Sequence, residues 1–117
     1  MYYSPIPEID VNQLAVLLSE SSPSSSLQLI DVRERGEAAI ALISGFDLYP
    51  LSEFDQWSET ILTELKPEAE TIVICHHGMR SAQLCQWLSM RGFSQVQNVT
   101  GGIDAYSRFV DSSVRRY

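Results

Sequence analysis

The feature that most constrains the fold is a continuous apolar run at residues 71–74 (TIVI), which stands between two segments of helical periodicity. A run without polar alternation is typical of a parallel strand that is buried on both faces. In the segment before it, apolar residues recur at offsets 0, 3, 7, 8 and 11, which predicts an amphipathic helix. These residues are Phe54, Trp57, Ile61, Leu62 and Leu65. The segment after it, residues 81–91, is predicted as a helix that stops at Gly92.

The rest of the chain repeats the alternation of strand and helix. Asp10 and Gln13 have the spacing of a capping box, which predicts a helix beginning after Asp10. Further strands are predicted at residues 27–32 and 96–99, and a strand or extended segment at 46–51. Further helices are predicted at 37–42 and 103–110, and a serine-rich surface loop at 19–26. A length of 117 residues suits one domain. We therefore expect a single α/β domain over residues 1–117, in three layers, with a mainly parallel sheet of about five strands flanked by helices.

The balance of charges limits the classes of partner. The chain has 8 basic and 15 acidic residues and a formal net charge of −7, which disfavours binding to nucleic acid or to an acidic membrane. No apolar run approaches the ~20 residues that cross a bilayer, and the first residues lack the basic start and apolar stretch of a signal peptide. We expect a cytoplasmic protein that binds neither nucleic acid nor membrane.

The chain has two cysteines, Cys75 and Cys85. Two cysteines are too few for a disulfide framework or a four-thiolate metal site. The adjacent histidines His76 and His77, with no further Cys/His pair, also make a poor metal site. We therefore expect neither a metal nor another cofactor. Cys85 lies on the apolar face of the helix at 81–91 and is expected in the core, with a resolving thiol as the alternative.

A reactive thiolate is predicted at the carboxyl end of the buried strand, where ligands gather in open α/β sheets. Cys75 opens the sequence CHHGMRS (residues 75–81), which runs from that strand into the next helix. Gly78 permits a tight loop with backbone N–H groups directed at the sulfur, the helix adds its positive end, and Arg80 adds a fixed charge. These effects favour thiolate over thiol, so Cys75 is expected to be nucleophilic at neutral pH. The alternative is a cysteine that serves only as a small core hydrophobe.

The arrangement Cys75-X-X-Gly78-X-Arg80-Ser81 resembles the active-site loop of the rhodanese-like (single-domain sulfurtransferase) family. Further segments in the same order resemble other family segments: residues 29–33 (LIDVR) followed by Glu37, residues 50–54 (PLSEF), residues 92–93 (GF) and residues 99–106 (VTGGIDAY). The resemblance covers residues 8–110. The chain departs from the family pattern at residues 41–46, where a usual histidine is missing, and at Tyr106, where tryptophan is common.

The resemblance implies a sulfurtransferase that moves sulfane sulfur from a donor such as thiosulfate to a thiophilic acceptor through a Cys75 persulfide. The acceptor would be a thiol, cyanide or a sulfur-accepting protein. Backbone N–H groups of the loop would stabilise the charged sulfur, and Arg80 would hold the anionic oxygens of the donor. The residues expected to contact substrate beside Cys75 are therefore Arg80, His76, His77, Gly78, Met79 and Ser81.

Supporting roles are expected around the loop. By resemblance, Asp31 and Arg33 lie at the neighbouring strand end, where Asp31 is expected to brace the loop and Arg33 to pair with Glu37 or another carboxylate. His76 and His77 are expected to point outward at the rim of the pocket. Residues 115–117 (RRY) are expected to form a solvated tail.

Two other functions stay open on the sequence alone. The first is a cysteine-dependent phosphatase, whose related loop is one residue longer than the four residues between Cys75 and Arg80. The shorter loop is better suited to a sulfur atom than to a phosphate group. The second is a noncatalytic rhodanese-like interaction or regulatory module, and the presence of Cys75 counts against it.

Overall fold

The computed structural model describes residues 5–21 and 26–117, which form a five-stranded sheet with helices on both faces. In chain order the elements are β1 (Glu8–Ile9), α1 (Val11–Glu20), β2 (Gln28–Asp31), α2 (Arg35–Ile40), β3 (Asp47–Leu48), a 3₁₀ turn (Leu51–Glu53), α3 (Phe54–Glu64), β4 (Thr71–Ile74), α4 (Met79–Met90), β5 (Val96–Val99) and α5 (Gly102–Phe109). Strands and helices therefore alternate as the sequence predicts.

The sheet has the strand order β1-β5-β4-β2-β3, and every neighbouring pair is parallel. The central strand is β4, in which Val73 lies opposite Ile30 of β2 on one side and Asn98 of β5 on the other. All four residues of β4 are buried. The predicted α/β class, with a mainly parallel sheet of about five strands, is confirmed.

The side chains of β4 alternate between two hydrophobic clusters, one on each face of the sheet. Val73 joins the cluster built with α3 and α4, whose buried members are Ile30, Val32, Trp57, Ile61, Val73, Cys75, Leu84, Cys85, Leu88, Phe93 and Val96. Ile72 and Ile74 join the cluster built with α1 and α5, whose buried members are Ile9, Val11, Leu14, Ala41, Ile43, Ile72, Ile74, Val99 and Ile103. Two helical layers with a sheet between them are the three layers that the sequence predicts.

Two helix ends follow the local chemistry of the sequence. At the start of α1, the Asp10 carboxylate accepts a hydrogen bond from the Gln13 N–H at 2.8 Å, and the Gln13 amide oxygen accepts one from the Asp10 N–H at 3.0 Å. This is the predicted capping box. At the end of α4, Gly92 has φ +94°, and the N–H groups of Gly92 and Phe93 donate to the carbonyls of Ser89 and Leu88. That pair of bonds is a Schellman motif, which ends the helix where the sequence predicts.

Several boundaries differ from the prediction. The edge strand β1 has only two residues and was not predicted, because a pair of residues carries no periodicity. The strand expected at 46–51 is reduced to Asp47–Leu48. Helix α4 begins at Met79 instead of residue 81, because Gly78 turns directly into it in the left-handed conformation. Of the serine-rich loop expected at 19–26, Ser19 and Glu20 belong to α1, and residues 22–25 lie outside the described residues.

Candidate active site

The candidate site lies at the carboxyl end of the central strand, where Cys75 follows β4 and a short loop leads into α4. The Cys75 residue is only 1% exposed, and it belongs to the core cluster under α3 and α4. The cysteine is free, as is Cys85. The position at the end of the central parallel strand is the one that the sequence predicts.

Two hydrogen-bond donors converge on the sulfur. The Gly78 N–H lies 3.1 Å from Cys75 Sγ, and the Ser81 hydroxyl lies 3.2 Å from it. Gly78 has φ +105°, and a Cβ there would lie 3.3 Å from the Val99 carbonyl oxygen, so the turn that aims this N–H at the sulfur requires glycine. Donors directed at a sulfur stabilise its anionic form. The sequence predicts a ring of loop amides, and among the described contacts the Gly78 amide is the one that reaches Sγ.

Asn98 ties the loop to β5 and is a polar residue that the sequence analysis did not single out. Its Nδ2 donates to the Gly78 carbonyl at 3.1 Å, and its Oδ1 lies 2.5 Å from the Ser81 hydroxyl. A hydroxyl has one proton to donate. Ser81 therefore donates either to Asn98 or to Cys75 Sγ, and a thiolate at Cys75 draws that proton towards sulfur. The only sequence signal for Asn98 is its amide within a strand whose other residues are mostly apolar.

The start of α5 fixes the first two residues of the loop. The N–H groups of Ile103 and Asp104 donate to the carbonyls of Cys75 and His76 at 2.8 and 3.1 Å. This approach depends on Gly102, because a Cβ there would lie 2.4 Å from both carbonyl oxygens. Gly102, the second glycine of the segment that resembles the family pattern, thus has a physical reason: it allows the start of α5 to contact the backbone of the loop.

Arg80 is held by Glu37 of α2. Its Nη1 and Nη2 lie 2.7 and 2.8 Å from the two carboxylate oxygens, in a bidentate pair. These bonds are the main reason that the pKa of Glu37 is lowered to about 2, and the same bonds raise the pKa of Arg80. The Arg80 side chain is 33% exposed. An anion that binds Arg80 must therefore compete with Glu37.

Arg33 has a different carboxylate partner, Asp31. Arg33 is fully buried, and its Nη2 lies 2.7 Å from the Asp31 carboxylate and 2.8 Å from the Ala41 carbonyl. From the sequence, Arg33 was expected to pair either with Glu37 or with another carboxylate. In the structure it pairs with another carboxylate, Asp31, and not with the carboxylate of Glu37. The hydrogen bonds that the Asp31 carboxylate accepts from described residues come from Arg33. The expectation that Asp31 braces the loop at 75–81 is therefore wrong, since Asp31 holds an arginine that in turn contacts the end of α2.

The two histidines occupy different environments at the rim. The His77 side chain is 62% exposed, with Nδ1 4.0 Å from an Asp104 oxygen. The His76 ring instead stacks on Tyr117, with centroids 4.0 Å apart and an interplanar angle of 8°. Burial, and then the neighbouring His77 charge, lower the pKa of His76. His77 therefore points outward as expected, whereas His76 is covered. Met79, the first residue of α4, is 77% exposed at the same rim.

Residues 115–117 are not a free tail. Tyr117 covers His76, and its hydroxyl donates to a Glu37 oxygen at 2.9 Å. Arg116 Nε lies 3.3 Å from Asp104. The segment is exposed, as expected, and Tyr117 is 37% exposed, but Tyr117 and Arg116 also contact residues that are distant in sequence, which no local pattern reveals.

Cys85 lies in the core, as expected. It is fully buried, and burial, followed by the nearby Cys75 charge, raises its pKa to about 12. A thiol with that pKa stays protonated at neutral pH and is a poor nucleophile.

Comparisons of this chain with known proteins find relatives and solved structures in the rhodanese-like family. The family model described as a rhodanese-like domain matches residues 11–109. The chloroplastic rhodanese-like/PpiC domain-containing protein 12 of Arabidopsis thaliana is 42% identical over 113 residues, covering 97% of this chain and 38% of that protein. The thiosulfate sulfurtransferase GlpE of Actinobacillus pleuropneumoniae is 34% identical over 97 residues, covering 77% of this chain and 87% of that protein. The crystal structure of a rhodanese-like domain protein from Staphylococcus aureus has a TM-score of 0.75 at 26% identity, covering 96% of this chain and 99% of that one.

The helices and the Arabidopsis relative give information on where the protein is located and on how much of a relative it spans. None of the helices in residues 5–21 and 26–117 has the length and apolar character needed to span a membrane. The name of the Arabidopsis relative assigns that protein to the chloroplast, so the cytoplasmic location of this chain stays a prediction.

This chain spans 38% of the length of the Arabidopsis relative. The family match at 11–109 nearly coincides with residues 8–110, over which the sequence shows the family pattern, and we conclude that this chain belongs to the rhodanese-like domain family.

Proposed function

We propose that this protein is a sulfurtransferase, working as one rhodanese-like domain, that carries sulfane sulfur on Cys75 as a persulfide. The donor is thiosulfate or a similar anionic sulfur compound, and the acceptor is a thiol, cyanide or a sulfur-accepting protein. The observation that supports this most is the pair of donors on Cys75 Sγ, the Gly78 N–H at 3.1 Å and the Ser81 hydroxyl at 3.2 Å. Relatives that carry an activity in their names, such as GlpE, support the same reaction class.

In the first half of the reaction, the Cys75 thiolate attacks the outer sulfur of thiosulfate. A new sulfur–sulfur bond forms at Sγ while the bond between the two donor sulfurs breaks. Sulfite leaves with the electron pair of the broken bond, and Cys75 retains the transferred sulfur as a persulfide anion. No external oxidant or reductant is needed, because the donor already holds its outer sulfur in the sulfane state.

The loop stabilises negative charge on sulfur throughout this exchange. The Gly78 N–H is fixed by the backbone conformation and needs no reorganisation at the moment of reaction. The Ser81 hydroxyl can turn from Asn98 to Cys75 Sγ, so it donates to the sulfur when the sulfur is negatively charged. The role of these groups is therefore to stabilise the Cys75 thiolate, both as it attacks the donor and as it is released when the acceptor takes the sulfur.

Arg80 binds the sulfonate oxygens of the donor and neutralises them as sulfite departs. Its guanidinium is charged at all accessible pH values and presents a planar set of donors that suits such oxygens. In the structure these donors are used by Glu37. Donor binding is therefore an exchange, in which Arg80 gives up contacts to one anion and gains contacts to another.

In the second half, a nucleophile attacks the terminal sulfur of the persulfide. Cyanide takes the sulfur as thiocyanate, and a thiolate takes it as a new persulfide, and in both cases Cys75 regains its electron pair as thiolate. The enzyme returns to its starting state after one donor and one acceptor have reacted.

Thiosulfate:cyanide sulfur transfer tests the proposal, with thiocyanate as the measured product. Cys75→Ser is expected to abolish turnover because serine forms no persulfide, and Cys85→Ser, a matched change in the core, is expected to retain it. Hydrolysis of an aryl phosphate by the wild-type protein, without sulfur transfer, would favour a phosphatase. Neither activity, with the protein folded and a panel of persulfide donors tried, would favour a noncatalytic binding module.

A further inference from the structure

Tyr117 makes contacts with the residues around the candidate site through three separate groups. Its ring stacks on His76, and its backbone oxygen lies 3.0 Å from His76 Nε2. Its hydroxyl accepts a hydrogen bond from Arg33 Nη1 at 3.0 Å and donates one to Glu37 Oε1 at 2.9 Å. Tyr117 is 84 residues from Arg33 and 80 from Glu37 along the chain. Although Tyr117 is 37% exposed, these contacts make it part of the surroundings of the candidate site.

The hydroxyl matters because of how the Glu37 carboxylate divides its hydrogen bonds. Oε1 accepts from Arg80 Nη2 at 2.8 Å and from the Tyr117 hydroxyl. Oε2 accepts from Arg80 Nη1 at 2.7 Å and from the Glu34 N–H at 2.9 Å. Each oxygen therefore has one donor from Arg80 and one donor from elsewhere. When Arg80 leaves, the Glu34 N–H still serves Oε2 and the Tyr117 hydroxyl still serves Oε1.

We propose that Tyr117 is a positioning residue for donor binding: its hydroxyl holds Glu37 when Arg80 turns from that carboxylate to an anionic donor. The inference rests on the proposed function in one respect only, the binding of a sulfonate-bearing donor by Arg80. Without the hydroxyl, Oε1 keeps no hydrogen bond from a described protein group once Arg80 has turned to thiosulfate, and a partly buried carboxylate oxygen without such a bond is costly. Glu37 then retains Arg80 more strongly, and the donor binds more weakly.

Tyr117→Phe isolates the hydroxyl, because phenylalanine keeps the ring that stacks on His76. Tyr106→Phe is the matched control, since the Tyr106 hydroxyl has no hydrogen-bond partner in the described part of the chain and Tyr106 packs in the cluster of α1 and α5. Both are made in the Cys75→Ser protein, in which serine forms no persulfide, so that binding is measured without turnover. The dissociation constant of thiosulfate is measured by calorimetry at fixed ionic strength.

We expect Tyr117→Phe to weaken thiosulfate binding about three- to tenfold, the effect of one ordinary hydrogen bond, because the Glu37 side chain is 20% exposed and water replaces part of the lost contact. Tyr106→Phe is expected to leave the constant unchanged. In a Glu37→Gln background the Tyr117→Phe effect should shrink to less than about twofold, because the two residues act through one contact. In the Cys75 enzyme, Tyr117→Phe should raise KM for thiosulfate by a similar factor with little change in kcat.

The inference would be overturned by equal thiosulfate affinity with tyrosine and phenylalanine at position 117, by an equal loss in Tyr106→Phe, or by an undiminished loss when Glu37 is glutamine. Absence of thiosulfate binding to the Tyr117 form also overturns it, since Arg80 then takes no such donor. Failure of the proposed function looks different. In that case thiosulfate binds with the expected dependence on Tyr117, but the Cys75 protein never acquires sulfur from it.

Discussion

Replacing Gly102 by alanine should damage the candidate site more than replacing Gly92 or Gly36 by alanine. Gly102 has φ +61°, and its Cβ would lie 2.4 Å from the carbonyl oxygens of Cys75 and His76. Both neighbours are backbone atoms, which have no side-chain rotation by which to move away. The start of α5 must therefore withdraw from the loop, and the two hydrogen bonds from Ile103 and Asp104 to those carbonyls are lost or stretched.

The magnitude follows from two separate costs. The left-handed conformation costs a non-glycine residue about 1–2 kcal/mol. Each hydrogen bond of a typical backbone pair contributes about 0.5–1.5 kcal/mol, and two of them hold α5 to the loop. We therefore expect Gly102→Ala to lower the free energy of unfolding by about 2–5 kcal/mol. That is a large part of the stability of an ordinary small domain.

Two further glycines allow the cost of the left-handed backbone to be measured separately from the cost of the close contact at Gly102. Gly92 has φ +94° but no atom within 4 Å of a Cβ, so Gly92→Ala should carry only the conformational cost of about 1–2 kcal/mol. Gly36 lies in α2 with nothing within 4 Å of a Cβ, so Gly36→Ala should stabilise by about 0.5–1 kcal/mol. Urea unfolding, followed by the fluorescence of Trp57 and Trp87, gives the three values. If Gly102→Ala costs no more than Gly92→Ala, the contact of α5 with the loop is not as described.

Three further predictions concern single side chains. The pKa of Glu37 is lowered from 4.5 to about 2, so its pairing stabilises the fold above pH 4.5, and this stabilisation is lost as pH falls towards 2. The free energy of unfolding of Glu37→Gln should therefore depend less on pH over that range than that of the wild type, and an equal dependence in the two proteins would contradict this. Ser81→Ala removes one of two donors to sulfur, so iodoacetamide should alkylate Cys75 about three- to tenfold more slowly, whereas Ser107→Ala, a matched buried serine, should not change the rate. Cys85, with a pKa of about 12, should stay unlabelled at neutral pH in the Cys75→Ser protein, and rapid labelling by mass spectrometry would refute its place in the core.

The parts of the fold that the sequence predicts well are those with a local cause. The apolar run of β4 matches the observed strand residue for residue, because a strand buried on both faces leaves a continuous signal. The capping box at Asp10 and the stop at Gly92 depend on groups within a few residues of each other. The loop from Cys75 to Ser81 was recognisable for the same reason, since its spacing is local.

The partners of the charged and polar residues were not predictable in the same way. Glu37 was available to either Arg33 or Arg80, and the choice depends on a contact between residues 43 positions apart. Asn98 meets Ser81 only because β5 lies beside β4 in the sheet. Such pairs are created by the packing of distant elements, and neither periodicity nor charge pattern along the chain records them.

The central claim is that Cys75 carries sulfur, and the intact mass of the protein tests it most directly. Wild-type protein is incubated with thiosulfate, freed of small molecules and weighed by mass spectrometry without reductant, beside Cys75→Ser and Cys85→Ser. We predict that the wild type and Cys85→Ser each gain the mass of one sulfur atom, that cyanide removes it, and that Cys75→Ser gains nothing. A wild-type mass unchanged by thiosulfate and by other persulfide donors, or a gain that persists in Cys75→Ser, would contradict the account.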